Sequence, residues 1–392
     1  MSQKNLLIAF GGISPEHEVS VLTALQAVAA LDESYHPVPL YITKNGRWLT
    51  GDSLLVLENY QDLKKLEAGA YPCTLALDEA GHAVLMETRA GFFSRPRLTP
   101  VYAVLNAFHG ADGENGSFQG VCEMFNLPST GAGVIGSAAG MDKRVAKDLC
   151  SVHGIPVTAQ VWFSEADWID RAESLKADIV DLGFPVFVKP VHLGSSIGIS
   201  RAASIAEAEE AIETAFRYDQ EVIVEEAIQP LMEINCSVLG DESTARASVC
   251  EQPIGREEVL SFEDKYMSGD NAAKGMAAAT RRIPAPVSDE LTRHIQDLSV
   301  KIFRLLQISG VARLDFLVKS DEEKVYFNEI NTIPGSFSFY LWDKTGTDFP
   351  DLLDEIITIA VKRNRMKNGR VRSYETNLLS TKSVRGIKGL KK

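Results

Sequence analysis

The chain has 392 residues, 45% hydrophobic and 24% charged, which suits a globular protein with room for two or three cores. Its net charge is −13, yet residues 361–392 hold eleven Lys and Arg against Glu375 alone, leaving −23 on residues 1–360. So acidic a body argues against nucleic acid as a partner, except through that tail. With no apolar run of about 18 residues and no signal-peptide layout in MSQKNLLIAF, the expected setting is cytoplasmic, without membrane insertion.

Taken in order, NLLIAF reads as a short strand, Gly11–Gly12 as a turn and VLTALQAVAAL as a helix. Strand, glycine turn and helix open an α/β domain, and ligands gather at the strand's carboxyl end. Glu16 and Glu18 favour the positive end of that helix as capping groups, or face a ligand. Further strands are predicted at PVPLYI (37–42) and VYAVLNAF (101–108), with a hairpin-like stretch between them. HGADGENGSFQG then forms another glycine-marked loop. Residues 1–138 form the first expected domain.

A helix is predicted from Met141 to His153, carrying Lys143 and Lys147 and stopped by Gly154 and Pro156. PVFVKP (185–190) is a strand in which Lys189 either snorkels to solvent or meets an anion. The following HLGSSIGIS is rich in small residues whose backbone N–H groups can cradle phosphate, and a plain hairpin turn is the alternative. A P-loop is excluded, because the G-K-[ST] ending is missing. With Lys189 at its base, phosphate is the favoured ligand for Ser195 and Ser196.

Ser204 to Glu207 is a capping box for a helix over 205–218, and EVIVEEAI (221–228) is a strand. Glu225, Glu226 and the later Glu233 either line an exposed edge or accept hydrogen bonds from a purine amino group and ribose hydroxyls. Residues 253–281 lack periodicity and read as a lid containing Lys265 and Tyr266. A helix capped by Ser288 leads to VARLDFLVKSDEEKVYFNEINTIPG (311–335), two alternating strands about a charged break. If they turn near Asp321 and Glu322, Asp315 falls opposite Glu329 and Arg313 opposite Asn331. Asp315, Glu329 and Asn331 then share one face as hard oxygen ligands suited to Mg²⁺ held with phosphate. Arg313 beside them is placed to stabilise developing negative charge.

Five cysteines with no C-x-x-C spacing predict buried free thiols and no zinc site. A last helix is expected at 348–366, followed by a solvated basic tail.

GGISPEHEVS, HGADGENGSFQG, GSAAGMDKRVAK, FVKPVHLGSSIGIS, VIVEEAI, DKY, ARLDF and NEINTIPG occur in the order found in the D-alanine–D-alanine ligases, which this chain resembles from about residue 4 to 362. The resemblance implies an α/β fold, with a Rossmann-like first domain before a two-part ATP-grasp module. Its central part is expected at 139–238 and its C-terminal part at 239–362, with the tail at 363–392. It implies ATP between the latter two, bound with two Mg²⁺ or Mn²⁺ ions at Asp315, Glu329 and Asn331. Lys143 and Lys189 would hold the α- and β-phosphates, with Ser195 and Ser196 in the loop, and Lys265 the γ-phosphate. Glu225 and the backbone from Glu226 to Ile228 would meet adenine, and Glu233 the ribose. Glu16 would hold the first substrate's ammonium group in a network with Ser195 and Tyr266. Arg313 and the Gly335 N–H would stabilise an oxyanion. The implied reaction joins two D-alanines through an acyl phosphate for peptidoglycan synthesis, and the family suggests a homodimer.

Three departures stand out. Gly113-Glu114-Asn115-Gly116 replaces the family's usual G-E-D-G, and the lid is longer than usual. Five residues beyond Gly335, where the family commonly has a serine for the acceptor carboxylate, this chain has Tyr340. Its hydroxyl is expected to reach the acceptor from a longer arm. A different amine acceptor such as D-serine is thus the alternative within the class. A catalytically silent nucleotide-binding regulator is the alternative outside it, though it would not require Asp315, Glu329, Asn331 and Arg313 together.

Overall fold

The computed structural model describes residues 3–88, 95–254 and 281–371, which build three sheets. The first has seven strands: β1 (Lys4–Gly11), β2 (Tyr35–Ile42), β3 (Trp48–Thr50), β4 (Tyr71–Leu77), β5 (Ala83–Glu87), β6 (Arg97–Pro100) and β7 (Ala103–Asn106). Their order is β6-β5-β4-β3-β2-β1-β7, with β1 parallel to both β2 and β7. Parallel strands are buried on both faces, which is why NLLIAF and the core of VYAVLNAF read as unbroken apolar runs. Leu6, Ile8 and Phe10 face one side, where Trp342 and the C-terminal helix Phe349–Asn368 pack. Leu7 and Ala9 face the other, against Phe118 and Cys122. The carboxyl ends of β1 and β7 therefore deliver Gly11–Glu16 and Phe108–Glu114 to one edge of the molecule.

The second sheet is antiparallel, in the order β10-β9-β11-β8: β8 (Gln160–Ser164), β9 (Val186–Pro190), β10 (Ser200–Ala202) and β11 (Glu221–Glu226). Two helices, Glu165–Leu182 and Ile205–Ala215, cover it through Leu175, Ile179, Ala208 and Ile212. Both start on serine caps, Ser164 with a full capping box and Ser204 accepting from the Glu207 N–H. The segment 192–199 joins two antiparallel strands, so it is a hairpin connection as well as a loop of small residues.

The third sheet runs β14-β13-β12-β15-β16: β12 (Leu231–Gly240), β13 (Arg246–Pro253), β14 (Arg281–Arg282), β15 (Gly310–Lys319) and β16 (Lys324–Asn331). A border at 238 falls inside β12, the central strand of this sheet. Ser288 caps the helix Asp289–Leu305 by accepting from the Leu291 N–H at 3.1 Å, and its apolar face (Leu291, Ile295, Ile302, Phe303) packs on the sheet.

β15 and β16 form the predicted hairpin, with Asp315 opposite Glu329 and Arg313 opposite Asn331. Unbroken alternation from the turn would not produce that pairing. Phe316 lies opposite Phe327, and a one-residue bulge at Asn328 shifts the register before Glu329. The bulge lets Phe327 and Ile330, three positions apart, both enter the core, while Asn328 and Glu329 both face the cleft. All five cysteines are buried and free. Among the described residues no helix is long and apolar enough to cross a membrane.

Candidate active site

One polar row crosses the third sheet. Glu251 of β13 pairs with Asn235 of β12, Asn235 with Asp315 of β15, and Asp315 with Glu329 of β16. Neighbouring strands bring directly opposed side chains to one face. This row floors a cleft whose other wall is the second sheet, with Lys189, Ser196, Glu225, Glu226 and Ile228, and Glu233 beside the row. A second cleft adjoins it, lined by Glu16, Glu114, Lys143, Ser195, Asn331 and Gly335. Arg313 and Glu329 line both.

Glu16, Lys143, Lys189, Ser195, Ser196, Glu225, Glu226, Ile228, Glu233, Arg313, Asp315, Glu329, Asn331 and Gly335 thus all lie at one of two connected clefts, whereas Glu18, Lys147 and Tyr340 line neither. Lys265 and Tyr266, with most of the expected lid, lie outside the described residues, as does the tail beyond 371.

Arg313 meets Asp315 edge-on, Nε 2.7 Å from Oδ1 and Nη2 2.7 Å from Oδ2, and the Asn331 amide donates to Asp315 Oδ2 at 3.2 Å. Burial disfavours the charge on Arg313, but the Asp315 carboxylate outweighs it and keeps the guanidinium protonated. Lys143 Nζ lies 3.6 Å from Glu329 Oε2 and donates to the Leu193 carbonyl. Two carboxylates and an amide oxygen, side by side with cations at their edge, fit a divalent ion shared with phosphate.

Lys189 donates to Glu225 Oε2 at 2.7 Å and to Asn328 Oδ1 at 3.2 Å. Lys147, completely buried, donates to Glu225 Oε1 and to Thr158 Oγ1. Burial alone would push the Glu225 carboxyl up. The two ammonium groups outweigh it and hold it well below the usual carboxylate range. Glu225 therefore fixes two lysines, one of them at the cleft surface.

The amino end of the site rests on backbone geometry. Ser195 and Ser196 both take left-handed conformations (φ 53° and 61°), turning the loop so that the Ser195 hydroxyl donates to Glu16. A Cβ on Gly110 would come within 2.6 Å of Glu16 Oε2, so that position has no room for a side chain. Beyond Gly335, Ser336, Phe337 and Ser338 are all left-handed (φ 53°, 53° and 51°). Such strain needs anchoring. Phe337 is buried in the core below, the Ser336 N–H donates to Thr23 Oγ1 at 3.1 Å, and the Ser336 hydroxyl donates to Gln26 Oε1 at 2.6 Å.

Several groups here lie inside the quoted motifs, but their partners come from distant segments. Glu114 accepts from the Gly110 N–H (3.0 Å), the Ile333 N–H (3.1 Å) and the Thr332 hydroxyl (3.2 Å), tying the first sheet's loop to the end of β16. Burial, and then the neighbouring Glu16 charge, push its pKa up to about 7. Burial and then Arg313 push His109 down to about 3, so its ring stays neutral beside Thr23 Oγ1 (2.9 Å). His192, bracketed by Asp142 and Asp219, is pushed up to about 10 and pins the start of the small-residue loop.

Tyr340 departs from expectation. Its hydroxyl donates to Glu251 Oε1 at 3.1 Å rather than standing open to a substrate, because the ring enters an apolar pocket with Leu341, Val249 and Ile283.

Comparison with known proteins shows the family. The family described as "D-ala D-ala ligase N-terminus" matches residues 5–132, and "D-ala D-ala ligase C-terminus" matches residues 149–358. The chain is similar to the D-alanine–D-alanine ligase of Thermosipho melanesiensis, at 35% identity over 96% of this chain and 99% of that one. It is also similar to that of Bacillus velezensis, at 35% identity over 91% of this chain and 98% of that one. Among solved structures it resembles the D-alanine–D-alanine ligase of Coxiella burnetii (30% identity, 94% and 97% covered, TM-score 0.78). It also resembles the VanG D-Ala:D-Ser ligase of Enterococcus faecalis (28% identity, 92% and 100% covered, TM-score 0.75). With both halves matched, and the lysines, acidic row and glycine-marked loops gathered at two joined clefts, the chain belongs to the D-alanine–D-alanine ligase family of ATP-grasp enzymes.

Proposed function

We propose that this protein joins two D-alanine molecules into D-alanyl-D-alanine for peptidoglycan synthesis, consuming ATP. The observation that carries the reading is that Arg313 and Glu329 line both clefts, so a nucleotide in one and amino acids in the other would meet at them. Glu16, half-enclosed by Gly110 and Gly194, receives the first D-alanine's ammonium group, oriented by the Ser195 hydroxyl. Lys143 and Lys189, with the loop of Ser195 and Ser196, hold the phosphates of ATP. Glu226 to Ile228 border the base and Glu233 the ribose.

The first D-alanine's carboxylate oxygen attacks the γ-phosphorus, the bond to the β-phosphate oxygen breaks, and ADP leaves. The second D-alanine's amine, after losing a proton, attacks the acyl carbon, and inorganic phosphate departs with its C–O bond. Arg313 and the Gly335 N–H face the oxygen that gains charge in that second step. Asp315, Glu329 and Asn331 would hold divalent ions, Mg²⁺ or Mn²⁺, whose chemistry is to neutralise phosphate oxygens. We assign residues 1–138 to the amino-acid side and 139–238 and 239–362 to the nucleotide, with 253–281, including Lys265 and Tyr266, closing over it to exclude water. A cytoplasmic homodimer is the form we assign.

D-serine as acceptor is the second reading, favoured by Tyr340 in place of a serine and by the likeness to a D-Ala:D-Ser ligase. The test is ADP release and product mass with ATP, D-alanine and each candidate acceptor. D-alanyl-D-alanine should dominate, D-alanyl-D-serine should be weaker, and no D-lactate ester should form. Absence of any D-alanine dimer would refute the reading.

A further inference from the structure

The reaction consumes the first amino acid's carboxylate but leaves the second's intact, so a spectator anion must sit in the cleft throughout. Taking an unpaired carboxylate out of water is costly, and a buried cation is the usual remedy. Four cations reach the two clefts among the described residues: Lys189 and Arg281 in the first, Lys143 in the second, and Arg313 in both. Lys189 is tied to Glu225, Lys143 lies beside Glu329, and Arg313 is bound through two contacts to Asp315. Arg281 alone has no part in the chemistry described so far.

It is nonetheless built in. Arg281 Nη1 donates to Glu251 Oε2 at 2.9 Å, and its guanidinium carbon lies 3.9 Å from the centre of the Tyr340 ring. Glu251 is held in turn by the Asn235 amide at 3.1 Å and the Tyr340 hydroxyl at 3.1 Å, and is only 1% exposed. Asn235 is the strand neighbour of Asp315, so this cluster continues the acidic row to the sheet's far side. Arg281 lines the same cleft as Arg313 and Asp315. A guanidinium stacked on an aromatic face keeps its planar edge of N–H donors in a fixed direction, and that edge suits a carboxylate.

We propose that Arg281 receives the carboxylate of the second amino acid, which then reaches past Arg313, the cation common to both clefts, into the first, with Tyr340 and Glu251 as the positioning residues of Arg281. This rests on the ligase reading above. It gives Tyr340 a different role from the one expected of it: the phenol holds a cation instead of contacting the substrate.

The test is a competition between D-alanine and D-alaninamide as acceptors, with ATP and Mg²⁺, read as the mass ratio of dipeptide acid to dipeptide amide. D-alaninamide has no carboxylate, so it can act only as acceptor. Both products come from the same folded molecules, so partial unfolding of a variant cancels from the ratio. Wild type should favour the acid, and Arg281→Gln should shift the ratio toward the amide by roughly tenfold or more, the scale of a lost charged hydrogen bond. Arg281→Lys, which keeps the charge without the fork, should shift it less than Arg281→Gln. Tyr340→Phe, which keeps the stacked ring, should stay within about threefold of wild type. A wild-type ratio in Arg281→Gln overturns the proposal. Should that variant form neither product, a wild-type ratio in Arg281→Lys overturns it in the same way. A wild-type enzyme that makes no dipeptide would defeat the ligase reading itself, an outcome separate from these.

Discussion

Lys189 Nζ sits 2.7 Å from Glu225 Oε2, and the other oxygen of the same carboxylate receives Lys147, so one buried anion supports two cations from different elements. Lys147 comes from the helix Lys143–Val152 and Lys189 from β9, and Glu225 on β11 joins them. Removing the anion leaves two ammonium groups in low dielectric without the carboxylate that both contact.

Glu225→Gln should therefore destabilise the fold by roughly 3 to 5 kcal/mol, the usual cost of stripping one partner from a buried ion pair. Urea unfolding of wild type and variant measures it. An unchanged midpoint at an unchanged slope would show that the lysines lose nothing when Glu225 loses its charge.

The hairpin of β15 and β16 sets the second expectation. Glu329 faces Asp315 across the strands and Lys143 across the cleft. Glu329→Gln keeps the shape but removes the charge that suits a divalent ion. ADP release should fall by roughly a hundredfold or more, and half-maximal activity should need more Mg²⁺. Wild-type turnover at wild-type Mg²⁺ would take Glu329 out of the metal site.

Glu114 supplies a pH dependence. Its folded pKa is pushed up to about 7, from an ordinary 4.5, by burial and then by Glu16. A carboxyl raised on folding binds its proton more tightly in the folded state. The stability this contributes is complete below about pH 4.5 and is lost as pH rises through 7. In wild type this part of the stability should decline between those values. Glu114→Gln, which does not titrate, should lack that decline. Thermal midpoints across pH 4 to 8 at fixed ionic strength make the comparison, and parallel curves would show that Glu114 titrates normally.

Much of the site could be read before any coordinates because its motifs are local. A strand's period of two places Arg313 with Asp315 on one face of β15, and Glu329 with Asn331 on one face of β16. A run of small residues after a strand marks a loop able to approach a ligand, and the serine caps at 204 and 288 announce their helices within four residues. β12 and β13 escaped notice because LMEINCSVLG and RASVCEQP mix polar and apolar residues without clean alternation. Both faces of that sheet are covered, one by the core and the other by the polar row of the cleft.

By itself, then, the sequence determined the α/β class, the order of the phosphate-binding and acidic motifs, and the faces shared by Arg313 with Asp315 and by Glu329 with Asn331. All of these depend on residues within about one turn or one strand of each other. The tertiary structure alone decided how distant segments share their charges. Glu225 takes Lys147 from 78 positions away, and Glu114 ties to Thr332 across 218. Glu251, Arg281 and Tyr340, from three separate segments, lock into one buried cluster. The bulge at Asn328, which brings Asn328 and Glu329 to the same cleft, is equally invisible in the local pattern. It exists because Phe327 and Ile330 both pack into the core below, and burying both apolar side chains outweighs the loss of one rung of strand pairing.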